Sequence, residues 1–516
     1  LVTAGKLRAL AVASGRRLPG LPEVPKTGEQ GGADFTIALW NGAAAPAGRS
    51  WPENRGCRSL RARVSAALRT DSSVEGPPVK RIPTPFLSAA AILLAATVAS
   101  AATFRVNDAS DAVHLTPGDG VCATAGSVCT LRAAVQEANA LPGEDRIRLP
   151  EGTYDLSIAG AFEDAAATGD LDVTGRLRIV GAGPDVTIVD ANALDRVLDV
   201  QAGARLTLVR VAVRGGKASN TETGGGIHTG ANSRLVLKRA LVESNEALVG
   251  GGIGGTGRVK ITSSTVRDNL AEAGGGLLTT TDATIRASTF DGNVANGIGA
   301  LFGHDVAAEG PALVTIVNST ITGQIQTSST CRSEPSQSTS GADFVLSNVT
   351  VNDVSNVVAA LDFCTPDEGT FTLRNTIVQQ CHANLISQGY NFVQPEGCVI
   401  LGDLTGVVVG DDPILGSLKD NGGPTFTRLP VAVSLAVDGG NPATPGSGGF
   451  ACEPFDQRGV PRLLGLFCDI GAVELVSADV SYSISQTGVG LPGQDITFPL
   501  TVASAAPASA VVAELT

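Results

Sequence analysis

Three glycine triplets set the narrowest limit on how this chain folds. Gly224-Gly225-Gly226, Gly250-Gly251-Gly252 and Gly274-Gly275-Gly276 recur at intervals of 26 and 24 residues. Each is followed by a short alternating strand, Leu235-Val236-Leu237, Val259-Lys260-Ile261 or Ala283-Thr284-Ile285, and then by a second strand that ends in Asn245, Asn269 or Asn293. Strands this short cannot enclose a core alone, but each has an equivalent one period later, so stacking the periods closes the core. The expectation is an all-β chain folded as a right-handed parallel β-helix, with Asn245, Asn269 and Asn293 stacked as a structural ladder at one corner. Weaker copies at Leu206-Thr207-Leu208, Val314-Thr315-Ile316, Phe344-Val345-Leu346 and Phe371-Thr372-Leu373 extend the coil in both directions. Gly252-Ile253-Gly254-Gly255-Thr256-Gly257 matches the dinucleotide fingerprint GxGxxG, but it falls on a repeat corner with no helix after it. No cofactor is expected there.

Composition suits stacked β-layers: 63 glycines, 4% aromatic residues, and a 43% hydrophobic content drawn mainly from Ala, Val, Leu and Ile. Residues 1–101 hold 13 Lys and Arg against 6 Asp and Glu, which leaves 24 against 44 in the rest, a net of −20. So acidic a body argues against nucleic acid as a partner. The basic excess includes Lys80-Arg81, which precede an apolar run from Phe86 to Ala99 and the small-residue site Ala99-Ser100-Ala101. This is the pattern of a secretory signal, cleaved after Ala101, because the run is shorter than the roughly 20 residues needed to span a bilayer. The protein is therefore expected to be secreted or held at the cell surface.

Eight cysteines follow that signal: Cys122, Cys129, Cys331, Cys364, Cys381, Cys398, Cys452 and Cys468. An even number past an export signal points to disulfides, with neighbours in sequence as the first pairing to test and other connectivities open. Zinc is not expected, since there is no CxxC and the four histidines are scattered.

Three blocks resemble known families. Residues 1 to about 50, through Ala4-Gly5-Lys6-Leu7, Arg17-Leu18-Pro19, Trp40-Asn41-Gly42 and Ala45-Pro46-Ala47-Gly48, are similar to the tail of tripartite tricarboxylate transporter substrate-binding proteins. Too little of that fold is present for a binding cleft, so 1–78 reads as a gene-fusion segment; with no Met in the chain, Val79 before Lys80-Arg81 reads as a start. Cys129-Thr130-Leu131-Arg132-Ala133-Ala134, Pro142-Gly143 and Gly152-Thr153-Tyr154 resemble the CSLREA domain of bacterial secreted proteins, which implies a small N-terminal capping helix. Thr130 can cap that helix, but Ala133 cannot return the hydrogen bond of a capping box. Asn421-Gly422-Gly423-Pro424-Thr425, Asp438-Gly439-Gly440-Asn441, Asp456-Gln457-Arg458-Gly459 and Cys468-Asp469-Ile470-Gly471 resemble the choice-of-anchor Q domain. That resemblance implies an irregular C-terminal cap on a stalk attached to the cell envelope by an anchor not found in this sequence.

The expected organisation is a fusion segment at 1–78, a signal peptide at 79–101, an N-terminal cap at 102–160, β-helix repeats at 161–410, a C-terminal region at 411–476 and the start of an immunoglobulin-like sandwich at 477–516. No residue is assigned as catalytic, cofactor-binding or metal-binding. Asp411-Asp412 and Gly303-His304-Asp305 have no partners at coil spacing, while Lys260 and Arg286 stand isolated on strands. Asp456, Arg458, Arg462, Asp469 and Glu474 fit an ion-paired network in the C-terminal cap, and His114, His228, His304 and His382 fit surface or corner positions. Acidic loops would bind structural calcium only weakly, since no EF-hand or nonapeptide repeat occurs. The expected function is a non-enzymatic structural stalk or adhesin-like protein, with an extracellular polysaccharide or a host or cell-surface ligand as partner. A polysaccharide lyase or glycoside hydrolase is the alternative, because β-helices carry both and fold alone does not decide.

Overall fold

The alternation seen in each repeat sends every second side chain inward, and the coil is held together by those inward columns. The computed structural model describes residues 101–476 apart from 220–221, 297–304, 332–340, 361–368, 395–397 and 463–464. It also gives the backbone of two strand pairs, Leu7–Ala9 with Ala44–Pro46 and Val480–Ile484 with Leu500–Ser504. The chain divides into two units, Leu1–Leu94 and Ala95–Thr516, and the coil belongs to the second. The rest of 1–78, of 79–101 and of 477–516 lies outside the described residues.

Twelve parallel strands, from Thr103–Arg105 to Val399–Asp403, stack as one face of the parallel β-helix. Its inward columns are aliphatic and then aromatic: Leu177, Leu206, Leu235, Val259, Ala283, Val314, Phe344 and Phe371 stand in register, all buried. Two further ladders run beside it in a seventeen-stranded sheet, one through Thr187–Asp190, Ala212–Arg214 and Leu241–Glu243, the other through Leu171–Val173, Leu198–Val200 and Ile227–Thr229. They merge in the long strand Thr320–Cys331, where Thr320 pairs with Thr289 and Ile325 with Val306. Early coils are thus three-sided and later ones two-sided. The GxGxxG stretch spans strand Ile253–Gly255 and is followed by strand Arg258–Thr262.

The glycine triplets work in two ways. Gly224, Gly250 and Gly274 adopt left-handed φ of 75°, 66° and 64°, which only glycine takes without strain. Gly225 and Gly226 are needed for proximity instead: a Cβ would lie 2.3 Å from the Glu246 carbonyl oxygen and 2.6 Å from that of Gly252, in the next coil. Beside them the Asn245 amide donates to Asn269 Oδ1 at 2.9 Å, and the Asn269 amide to Asn293 Oδ1 at 2.8 Å. The Asn293 amide then donates to Oδ1 of Asp305 at 2.7 Å.

The N-terminal helix, α1, spans Leu131–Ala140, with Thr130 at its N-cap accepting from the Ala133 N–H. Buried Arg132 anchors it, pairing with Asp111 at 2.6 Å and donating to the carbonyls of Ala166, Gly169 and Asp170. The irregular C-terminal region lies along the flank of the coil. It docks on Asn318, Asn348 and Asn375, corner residues with φ near 50°. Their amides donate to the Phe455 carbonyl, the Cys452 sulfur and the Phe450 carbonyl, while their oxygens accept from Arg462, the Glu453 N–H and the Asn441 N–H.

Cys122–Cys129, Cys381–Cys398 and Cys452–Cys468 are disulfide-bonded, with Cα separations of 5.2, 5.4 and 6.6 Å. Cys364 lies outside the described residues, as does the side chain of Cys331. Among the described residues no helix is long and apolar enough to cross a membrane.

Candidate functional site

The outward side chains of the twelve-stranded sheet form three columns, and over its first six strands these columns carry ten cations. In the first column Glu144 stands opposite Arg176, and Arg176, Arg205, Arg234 and Arg258 are then direct neighbours on consecutive strands. In the second column Arg146 and Arg178 are followed by Thr207, Val236 and Lys260. The third holds Arg105 and Arg148, then Val180, Val209 and Lys238. Among the described residues none of these ten cations has a carboxylate within 4.0 Å. Neighbouring strands lie about 4.8 Å apart and like charges placed opposite each other destabilise a sheet, so folding alone does not favour this arrangement.

The second face shows what the same chain does when charges serve the fold. Arg214 stands opposite Asp190 and pairs with it at 2.7 Å, and Arg267 stands opposite Glu243 and pairs at 2.7 Å. On that face each coil neutralises the next. On the twelve-stranded face it does not, although the chain after residue 101 has a net charge of −20. Two shallow grooves follow the cationic columns, of about 310 and 540 Å³, and Arg178 lines both. Its Nε is buried without a hydrogen-bond partner, a donor whose desolvation costs about 1–3 kcal/mol when left unmet. The face therefore presents rows of guanidinium and ammonium groups that no carboxylate within the described residues neutralises.

This corrects the reading of Lys260 and Arg286 as isolated. Lys260 continues the second column, and Arg286, farther along the third, is tied to Glu453 of the C-terminal region at 3.1 Å. The periods of 29 and 24 residues differ, so linear spacing does not reveal the register. A signal was present nevertheless: Arg176-Leu177-Arg178-Ile179, Arg205-Leu206-Thr207-Leu208, Arg234-Leu235-Val236-Leu237 and Arg258-Val259-Lys260-Ile261 share one form, arginine before two inward apolar positions.

A second cluster gathers on the third face, where Asp172, Asp199 and His228 share a register. His228 Nδ1 lies 2.7 Å from Asp199, and Arg196 reaches Asp170 at 2.8 Å, Asp199 at 3.2 Å and Glu222 at 3.2 Å. Burial outweighs the Arg196 contact at Asp170 and pushes its carboxyl up to about 8; burial likewise pushes Asp172 up to about 6. Oxygens of Asp164, Asp172 and Asp199 come within 4.8 Å of one another, but Gln201, the Ala166 N–H, Arg196 and His228 already engage them. The repeated Leu-Asp-Val at 171–173 and 198–200 was the sequence signal for this cluster.

The other residues singled out by sequence sit as follows. Arg458 pairs with Asp456 at 2.8 Å and Arg462 with Glu474 at 3.5 Å, whereas Asp469 accepts from backbone N–H groups of Asp438 and Leu475. His114 is buried rather than at the surface, its Nε2 2.7 Å from the Val121 carbonyl, because the loop before α1 closes around it. His382 is exposed and near Asp353, His304 lies outside the described residues, and Asp411 and Asp412 lie exposed in the C-terminal region.

No protein-family model and no curated protein matches this chain. Among solved structures, that of the pectate lyase Pel9A is similar at a TM-score of 0.37 and 13% identity, over 73% of this chain and 98% of that one.

Proposed function

We propose that this chain is an exported β-helix stalk that binds an acidic polysaccharide along the outer face of its twelve-stranded sheet and does not cleave it. The observation that carries this reading is the set of unpaired cationic columns, set against a second face on which charges are paired coil by coil. Acidic polysaccharide is favoured over nucleic acid because the outward positions between those cations, Thr207, Val209 and Val236, offer no aromatic ring for base stacking. Export rests on the signal ending at Ala101, and disulfides fit an oxidising compartment. The resemblances to the CSLREA and choice-of-anchor Q domains support a surface stalk with a covered N-terminal end.

The test is binding of polygalacturonate, alginate, neutral dextran and single-stranded RNA to the chain from Ala102 onward. Polyuronate binding that falls steeply with added salt and drops at least tenfold in Arg205→Glu/Arg234→Glu is expected, with any dextran binding insensitive to both. Tighter binding to RNA, or polyuronate binding unchanged in Arg205→Glu/Arg234→Glu, would overturn it. The Asp172, Asp199 and His228 cluster favours a second reading, a hydrolase or lyase, because it sets a carboxyl raised to about 6 beside another carboxylate. New reducing ends or unsaturated products that vanish in Asp199→Asn would establish that reading and displace the non-catalytic stalk.

A further inference from the structure

Where the C-terminal region meets the coil it leaves an open cleft of about 660 Å³, within the roughly 300–1,000 Å³ of small-ligand sites. One wall is apolar and rigid. Pro424 and Phe426 line it, and the Phe426 ring stays 48% exposed. Its backbone is pinned beneath: the Phe426 carbonyl accepts from the Thr289 hydroxyl at 2.6 Å and from the Gln457 amide at 3.2 Å, and Gln457 also donates to the Thr425 hydroxyl at 3.0 Å.

The remaining wall is polar and mixed in sign. Arg210 and Arg239 are exposed corner residues with φ of 56° and 50°, and among the described residues neither has an ion-pair partner. Arg267 and Arg458 also line the cleft but are neutralised by Glu243 at 2.7 Å and Asp456 at 2.8 Å. Two free guanidiniums therefore face three carboxylates, Asp185, Asp291 and Asp420. Such a cleft has no cationic excess to attract a polyanion, unlike the sheet face. What it offers is donors and acceptors spread around a flat apolar plate. A sugar ring has the matching chemistry: hydroxyls that accept from guanidinium and donate to carboxylate, and an axial C–H face that packs on an aromatic ring.

We propose that this cleft is a saccharide subsite separate from the cationic face, selecting an uncharged sugar that stacks on Phe426 while its hydroxyls bridge Asp291 and Arg239. The two sites meet at Arg210, which lines both this cleft and the 540 Å³ groove of the sheet face, so a polysaccharide with neutral branches would engage both.

Saturation-transfer NMR and calorimetry on the chain from Ala102 test it, with neutral disaccharides of glucose, galactose, mannose and N-acetylglucosamine as probes. At least one is expected to bind, with transfer strongest to the C–H protons of one ring face. Phe426→Ala should lower its affinity at least tenfold, Phe426→Trp should keep it, and Asp291→Asn should weaken it, with unfolding temperatures measured for each to separate site from fold. Arg205→Glu/Arg234→Glu should leave this binding intact while abolishing polyuronate binding, so the two proposals fail separately. Absence of binding by every probe, equal affinity in Phe426→Ala and the wild type, or loss of neutral-sugar binding on reversing Arg205 and Arg234 overturns the subsite.

Discussion

Asp305 places a single proton at the end of a hydrogen-bonded ladder. It is fully buried, its Oδ1 accepting from Asn293 and its Oδ2 from the Gly323 N–H at 2.6 Å. Burial outweighs both bonds, Asp291 adds repulsion, and the carboxyl is pushed up to about 7. A carboxyl raised on folding holds its proton more tightly in the folded chain. The stability it contributes is complete below about pH 4, the unfolded value, and is lost as pH rises through about 7. Thermal unfolding followed by circular dichroism between about pH 5 and about pH 8 should show the wild type losing stability with rising pH, and Asp305→Asn losing less. Asp170 and Asp469 shift in the same direction, so the comparison is the difference between the two proteins; equal slopes would refute this role for Asp305. Asn245, Asn269 and Asn293 were legible because one residue type recurs every 24 positions. Asp305 was not, because it has a different side chain and follows Asn293 by only 12 residues.

At the scale of the strand, the cationic columns set binding against stability. Each in-register arginine pair destabilises the sheet relative to neutral neighbours. Arg205→Gln/Arg234→Gln should therefore raise the unfolding temperature slightly while weakening polyuronate binding at least tenfold; calorimetry and a binding titration on the same sample check both. A fall in stability would mean that the arginines find partners within the fold and are not held for a ligand. The inward half of each strand was readable from its Leu, Val and Ile alternation, since burial imposes a period of two. The outward half required the register, which depends on how many residues each corner consumes. Only one corner carries the glycine triplet, and only from residue 224 onward, whereas the cationic columns begin at Arg105.

Across the whole coil, stability is a sum of neighbouring contacts, so damage should stay where it is made. The C-terminal region covers the corner of Asn318, Asn348 and Asn375 and closes a small core of Ile377, Phe392, Ala436 and Ile470. The glycine period carried no sign of this flank, because its contacts with Asn318, Asn348 and Asn375 join residues 66 to 144 positions apart. Deleting residues 411–476 would leave three corner amides without their partners and would expose Ile377 and Phe392. Hydrogen exchange should then show strands Phe371–Arg374 and Ile377–His382 losing protection, while Arg176–Val180 through Arg258–Thr262 keep theirs. Reducing Cys452–Cys468 should loosen the same coils in milder form, since that bridge joins two stretches of the docked region. Polyuronate binding should survive both changes, because the C-terminal region's hydrogen bonds to the coil begin at Arg286, past the ten cations of the columns. Loss of protection along the entire coil would instead show that the C-terminal region locks the β-helix as one cooperative unit.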